Sequence, residues 1–135
     1  MAKEITENTM QLIVTPGIIK YQQTHLEPYR TVMNEADKAL SQASCFLCIG
    51  YGFNDEHVQP KLLGHVQKGR PIVTIVQKLT ETGKKLLLQN PAKSIVLEEA
   101  ENNCTYFHYF EDNVYKKETL EGKFWQLGEF LNLWL

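Results

Sequence analysis

The feature that most constrains the fold is an alternation of short apolar runs with amphipathic helical segments. The runs are Cys45–Gly50 (CFLCIG), Pro71–Val76 (PIVTIV) and Ser94–Leu97 (SIVL), each of strand length. Their near-continuous hydrophobicity is typical of strands buried on both faces, as in parallel sheets. Strands that alternate with helical patterns indicate βαβ units. The predicted fold class is therefore α/β, with a mostly parallel, Rossmann-like sheet flanked by helices.

The helices between these strands are predicted from apolar spacing and from their end signals. Pro28 opens the first helix, since proline at the first turn loses no hydrogen bond. Apolar residues three and four apart mark a second helix from Val58 to Val66, which ends near Gly69. Thr80 is the expected N-cap of a third helix, with Glu81 in its first turn.

Three further elements are predicted towards the ends of the chain. Leu12–Val14 has the pattern of a short strand stopped by Pro16-Gly17. Thr105–Phe110 is aromatic and favours an edge strand or hairpin arm, with its aromatic side chains used in sheet packing. Lys123–Leu135 carries an apolar stripe that predicts a terminal helix.

Length and composition favour one soluble domain and exclude some functions. The chain has 135 residues and a net charge of −2, so a single domain over 1–135 is expected, with a flexible tail at 1–11. A nucleic-acid binder normally has a basic excess, which this chain lacks. No apolar run approaches the ~20 residues needed to span a bilayer. The odd number of cysteines, three, favours a reducing, cytoplasmic compartment.

The loop Gly50–His57 (GYGFNDEH) is the strongest candidate for a ligand site. It leaves the most apolar strand and enters a helix, which is where open parallel sheets bind ligands. Glycine permits a sharp turn and a close approach of the backbone to a ligand, and Gly52 is expected to serve one of these purposes. Asp55 and Glu56 would repel phosphate, so they favour a ribose or a capped helix. Both readings of Asp55, cap and ligand contact, stay open.

This loop resembles the late glycine-aspartate loop of bacterial sirtuin-like domains, an NAD-hydrolysing family common in phage-defence proteins. Other segments resemble the same family in the same order, namely Ile13–Lys20, Ser41–Ile49, Pro71–Thr80 and Phe124–Phe130. The resemblance implies NAD or ADP-ribose as the ligand. It also implies a set of contact residues: Gly50, Tyr51, Gly52, Phe53, Asn54, Asp55 and Gln77. Gln77 follows a strand where classical sirtuins place an asparagine on the adenosine ribose, and it could replace that amide.

Several motifs of the family's first half do not occur in the sequence. They are a Gly-Ala-Gly nucleotide loop, a Thr-Asn-Tyr-Asp-like motif and a catalytic histidine. The chain is therefore expected to be the C-terminal half of such a domain, with no catalytic residue and no activity alone. Its expected partners are a missing N-terminal half or a second copy. The rival hypotheses are a non-catalytic nucleotide-sensing or protein-interaction module, and a structural fragment with an exposed sheet edge.

The cysteines and histidines predict no metal site. Cys45 and Cys48 lie three apart in a predicted strand, so they point to opposite faces and are expected to be small buried hydrophobes. His57 either contacts a ligand or faces solvent from its helix. The remaining histidines have no carboxylate or cysteine at ligand spacing and are interpreted as structural or exposed: His25, His65 and His108.

Overall fold

The computed structural model describes residues 27–89 and 93–133. The predictions for the tail, for Leu12–Val14, for Ile13–Lys20 and for His25 lie outside these residues, as do the last two positions of the predicted terminal helix. The chain divides into two compact units, residues 1–39 and 40–135. Among the described residues, no helix combines the length and the apolarity needed to cross a bilayer.

The described part of the first unit is the beginning of helix α1, Tyr29–Gln42. Glu27 lies just ahead of this helix and accepts hydrogen bonds from Arg30 Nε, at 3.0 Å, and from the Thr31 hydroxyl, at 2.7 Å. A carboxylate at this end of a helix is favoured by the helix dipole. The predicted start at Pro28 is confirmed, because helical structure begins with the next residue.

The second unit is built on a five-stranded sheet with strand order β1-β2-β3-β4-β5. Its elements in chain order are β1 Phe46–Ile49, α2 Gln59–Gln67, β2 Ile72–Val76, α3 Glu81–Leu87, β3 Ser94–Glu99, β4 Cys104–Glu111, β5 Val114–Glu121 and α4 Leu127–Asn132. The pairs β1–β2 and β2–β3 are parallel, while β3–β4 and β4–β5 are antiparallel. The α/β class is thus confirmed, but the sheet is mixed and parallel only at one end.

The antiparallel end arises from tight turns that the sequence interpretation did not use. Asp112 and Asn113 have φ of 51° and 63°, and they join β4 to β5 in a two-residue hairpin. Left-handed pairs of this kind match the twist of the flanking strands. β4 is therefore a hairpin arm, one of the two predicted alternatives, and it is an inner strand of the sheet and not an edge strand. The outer strand β5 was not predicted. Its residues are nearly all exposed, so its sequence carries no alternation of apolar and polar positions.

The hydrophobic core lies between the parallel strands and the two helices that connect them. Consecutive parallel strands joined by right-handed crossovers place their helices on one face of the sheet. The core cluster contains side chains from all three parallel strands, from both connecting helices and from the loops that follow β1 and β2: Phe46, Phe53, Leu62, Val66, Ile72, Val76, Leu79, Leu87 and Val96. This packing fixes the carboxyl ends of the strands, where the candidate loop lies.

Two predictions about the first strand are wrong. β1 was expected to be buried on both faces, yet Leu47 and Ile49 are 48% and 52% exposed. The reason is that β1 ends the described sheet, with only β2 beside it. Cys45 was expected to be buried, but it precedes the strand and is exposed. Cys48 is half-buried, and burial raises the pKa of its thiol to about 11.

The terminal helix is shorter than predicted. The apolar stripe suggested helix from Lys123, whereas α4 begins at Leu127. Phe124 and Trp125 instead lie in a turn, in which Gln126 N donates to the Lys123 carbonyl. Apolar spacing alone does not show where a helix starts, because aromatic residues in a turn can continue the same stripe.

Candidate functional site

The candidate loop lies at the carboxyl edge of the parallel strands, as the sequence predicts. Gly50 N donates to the Ile75 carbonyl at 2.8 Å, which extends the β1–β2 ladder by one residue before the chain leaves the sheet. Gln77 follows β2 at the same edge, since Ile49 is in register with Ile75. The two neighbouring loops, residues 50–58 and 77–80, therefore bring Gly50–Asp55 and Gln77 to one end of the sheet.

The first loop is shaped by two residues with left-handed backbone conformations. Gly50 has φ of 61°, and a Cβ there would meet no other part of the protein within 4 Å, so the left-handed backbone of the turn is what requires glycine. Phe53 has φ of 56°, which is uncommon for a residue with a side chain. Its ring is fully buried in the core, and this burial holds the strained backbone in place. Residues with such strained backbone conformations are found mainly at functional sites, where the surrounding packing stabilises them.

Thr80 fastens the two loops together. Its hydroxyl donates to the Gly52 carbonyl at 2.6 Å and accepts from Gly83 N at 3.0 Å. The second bond is the N-cap of α3, so the predicted capping role of Thr80 is confirmed. Gly52 itself has an ordinary φ, and a Cβ there would lie 3.6 Å from Asn54 Nδ2 and from Thr80 Cγ2. Of the two purposes considered for Gly52, a positive φ is therefore excluded.

Asp55 caps the turn that leads into α2. Its Oδ1 accepts from His57 N at 2.8 Å and from Val58 N at 2.9 Å. The helix proper begins after Val58, which provides no side-chain cap of its own. Asp55 is therefore not the N-cap of α2, a position that Val58 occupies, but it caps the turn that leads into this helix. That turn is ordered before any ligand arrives. His57 was predicted on the helix, but it lies in this turn, two residues before α2 begins, and it is partly buried.

Two side chains near the loop carry buried polar atoms without a hydrogen-bond partner among the described residues. These atoms are Tyr51 Oη and Gln59 Oε1. The Tyr51 ring packs edge-on against Phe53 with centroids 4.8 Å apart, so its hydroxyl is held in a fixed direction. Burial, and then the charges of Asp55 and Cys48, raise the pKa of the Tyr51 phenol. A buried polar atom that makes no hydrogen bond costs about 1–3 kcal/mol, so each calls for an explanation.

The remaining predicted contact residues differ in what they present. Asn54 and Gln77 are exposed, and the Gln77 carbonyl accepts from Glu99 N at 3.1 Å. The Phe53 side chain points into the core, so only its backbone is available at the loop. The structure thus brings the predicted residues together, with Tyr51, Asn54 and Gln77 supplying side chains.

A partly buried polar network next to the 77–80 loop was missed from the sequence. Glu98 Oε1 accepts from Leu79 N at 2.8 Å, while Glu98 Oε2 lies 3.2 Å from His108 Nε2. His108 Nδ1 lies 2.8 Å from the Tyr115 hydroxyl. Burial lowers the pKa of His108, and the charge of Glu98 opposes that shift. A neutral His108 therefore donates a hydrogen bond from Nε2 to the Glu98 carboxylate and accepts one at Nδ1 from the Tyr115 hydroxyl.

These three residues come from three adjacent strands, which is why sequence spacing did not reveal them. Val96 is in register with His108, and Glu98 with Tyr106, so Glu98 and His108 are diagonal neighbours on one face. The available signal was a carboxylate at the end of a strand that is otherwise buried. The network holds the backbone of the 77–80 loop through the hydrogen bond from Leu79 N to Glu98 Oε1.

In the described residues, no group of three or more histidine, cysteine or acidic side chains is placed to hold a metal ion. Cys45, Cys48 and Cys104 are free thiols. No known family model, curated protein or solved structure matches this chain.

Proposed function

We propose that the chain binds the ADP-ribose part of NAD at the joined loops 50–58 and 77–80, as the C-terminal half of a sirtuin-like NAD-hydrolysing fold. On this proposal it contributes orientation and no catalytic group, and it is inactive alone. The setting suggested by the resemblance is a bacterial phage-defence protein. The observation that carries the proposal is a pair of buried polar atoms beside a strained and pre-ordered loop, Tyr51 Oη and Gln59 Oε1. Neither atom has a hydrogen-bond partner in the part of the chain that the structure describes.

The strand order supports this proposal. β1, α2, β2, α3 and β3 form one consecutive βαβαβ unit, and doubly wound nucleotide-binding sheets consist of two such halves. Ligands in those sheets lie outside the carboxyl ends of the strands where the order reverses. In a unit that runs β1-β2-β3 in one direction, the reversal would fall at the free side of β1. The Gly50–Asp55 loop leaves the sheet at that side.

The chemistry of the loop favours a ribose over a phosphate. Asp55 and the exposed Glu56 place negative charge at the start of α2, where a phosphate would otherwise be attracted. Hydroxyl groups can satisfy both kinds of unpartnered atom, because they accept from a phenol and donate to an amide oxygen. Gln77 and Asn54 offer two more exposed amides at the same edge. A sugar with several hydroxyls fits this donor and acceptor set.

Calorimetric titration of the purified chain with ADP-ribose and with NAD tests the proposal. The informative variant is Tyr51→Phe, which removes the hydroxyl and keeps the ring against Phe53. Loss of a hydrogen bond to the ligand should lower affinity about fivefold to tenfold, while the melting temperature stays equal or rises. Tyr109→Phe is the matched control, because its hydroxyl bonds Glu118 on the far strands. Absence of binding to both ligands at millimolar concentration, or equal affinities for the two variants, would contradict the proposal.

Asp55→Asn separates ligand contact from capping. Asparagine caps almost as well as aspartate, so a pure capping role predicts little change in stability or affinity. A contact with a ribose hydroxyl predicts a clear loss of affinity at unchanged stability, since a charged acceptor forms the stronger hydrogen bond. Asp55→Ala provides the reference for loss of the two bonds to His57 N and Val58 N.

A further inference from the structure

The two outer strands of the described sheet differ sharply in charge. β5 carries Lys116, Lys117, Glu118 and Glu121, and charged side chains on an edge strand oppose the addition of another strand. β1 has the sequence FLCI, and the whole segment from Cys45 to Asn54 is uncharged. Exposure of apolar side chains on such an edge promotes pairing with another chain. Only the β1 edge is therefore suited to accept a strand.

The backbone of β1 offers hydrogen-bonding groups on its outer side. Phe46 N donates to the Pro71 carbonyl and Gly50 N to the Ile75 carbonyl, so the even-numbered residues bond towards β2. The alternation of strand geometry then directs the N–H and C=O groups of Leu47 and Ile49 away from β2. The side chains of these two residues share one face of the sheet and are about half exposed. The edge thus presents both backbone groups and apolar side chains.

A groove of about 390 Å³ runs beside this edge. Its lining is almost entirely apolar: Leu40, Cys45, Phe46, Leu47, Cys48, Ile49, Tyr51, Val58 and Leu62. Val58 is 37% exposed at the rim of this groove. An incoming strand would therefore bury apolar surface on both sides of the sheet plane, which favours association.

We infer that, in the chain by itself, a second copy adds antiparallel to β1 across a twofold axis, with Leu47 of one copy opposite Ile49 of the other. The second copy occupies the edge where the other half of the proposed complete fold would otherwise lie. The absence of charge favours a second copy as the partner. A twofold axis brings identical segments together, so any charged residue there would lie near the same charge on the other copy and repel it. In this register the outward groups of Leu47 and Ile49 form two reciprocal hydrogen-bonded pairs. Cys48 then faces its own counterpart across the axis in a non-hydrogen-bonded pair.

Tyr51 and Val58 of the 50–58 loop also line this groove, but the two proposals have separate readouts. Self-association tests the strand edge, and calorimetry with ADP-ribose tests the ligand loops. Sedimentation equilibrium between about 1 and 100 μM should show a monomer–dimer equilibrium for the full chain. Leu47→Lys places a charge beside its partner and should raise the dimer dissociation constant roughly tenfold or more. Val114→Lys is the control on β5, where a side chain of similar exposure, 59%, should be replaced without effect. Affinity for ADP-ribose should be the same in both variants.

Cross-linking tests the register. The variant for this test carries Cys45→Ser and Cys104→Ser, so that Cys48 is its single cysteine. Copper-phenanthroline in air should oxidise it to a disulfide-linked dimer, because facing residues in a non-hydrogen-bonded pair lie about 4.5 Å apart at Cα. Oxygen takes up the two electrons that the thiols lose, and the dimer should be absent from Cys48→Ser in the same background. A monomer at 100 μM, a dimer that resists Leu47→Lys, or a dimer that does not cross-link through Cys48 would overturn the inferred pairing.

Discussion

Thr80→Val tests whether the two candidate loops depend on one hydroxyl. Valine keeps the γ-methyl and the volume of threonine but loses both bonds, the one to the Gly52 carbonyl and the one from Gly83 N. Loss of an N-cap costs about 1 kcal/mol. The Gly52 carbonyl is only partly buried, so losing its donor adds about 1 kcal/mol, at the low end for such groups. The expected decrease in the free energy of unfolding is thus about 2 kcal/mol.

Urea denaturation followed by circular dichroism measures this difference, and thermal unfolding should show a decrease of roughly 6–10 °C. Thr80→Ser is the matched control, because serine retains the hydroxyl and should stay within about 0.5 kcal/mol of the parent. Thr105→Val removes a comparable 2.7 Å bond to the Gly122 carbonyl, away from the candidate site. It should lower stability without lowering ADP-ribose affinity, whereas Thr80→Val should lower both.

Equal stabilities for valine and serine at position 80 would refute this role of the Thr80 hydroxyl. The loops would then be held by the buried Phe53 and Leu79 side chains alone. A different result is also informative, in which Thr80→Val lowers stability but leaves ligand affinity intact. In that case the bond between the loops is structural and does not order the ligand site.

Three further predictions concern the loop backbone, the buried histidine and the chemistry. Gly50→Ala should lower the free energy of unfolding by about 1 kcal/mol or more, because φ at this position is 61°. Gly52→Ala should leave the denaturation midpoint nearly unchanged and lower only ligand affinity. A destabilised Gly52→Ala beside an unaffected Gly50→Ala would show that the loop is misassigned. Burial holds the pKa of His108 below its ordinary 6.5, so at a pH below 6.5 the unfolded state binds more protons at this residue than the folded state does. The free energy of unfolding is therefore at its full value above pH 6.5 and decreases as the pH falls through the lowered pKa. Between pH 7 and pH 5 the free energy of unfolding of His108→Gln should decrease less than that of the parent. Identical slopes of this free energy against pH would refute the lowered pKa of His108. The purified chain should release no nicotinamide from NAD at neutral pH, since the first-half motifs of the resembled family, including its catalytic histidine, do not occur in the sequence. Release that survives repurification and disappears on substitution within Gly50–His57 would contradict this.

The central part of the fold could be predicted because each element has a local signal. The β-branched run Ile72–Val76, the Thr80 cap and the glycine at position 69, with φ of 92°, fixed the strand, the helix start and the helix end. The candidate loop was found the same way, because it follows an apolar strand and precedes a helix. Local signals of this kind depend only on residues a few positions apart.

The parts that were missed depend on neighbours distant in sequence. An apolar run has the same composition whether one or two strands flank it, so FLCI gave no sign that β1 lies at an edge with Leu47 and Ile49 exposed. β5 is recognisable mainly through its pairing with β4, since its own residues bury little surface.

The sequence by itself determined the α/β class, the positions of the three parallel strands along the chain and the position of the Gly50–Asp55 loop. Only the tertiary structure decided what each residue of that loop does. It placed the Phe53 ring in the core, the Thr80 hydroxyl on the Gly52 carbonyl and Glu98 against His108. The physical reason is that strand and helix propensities act between near neighbours, whereas hydrogen bonds across the sheet and the burial of a side chain depend on register and packing.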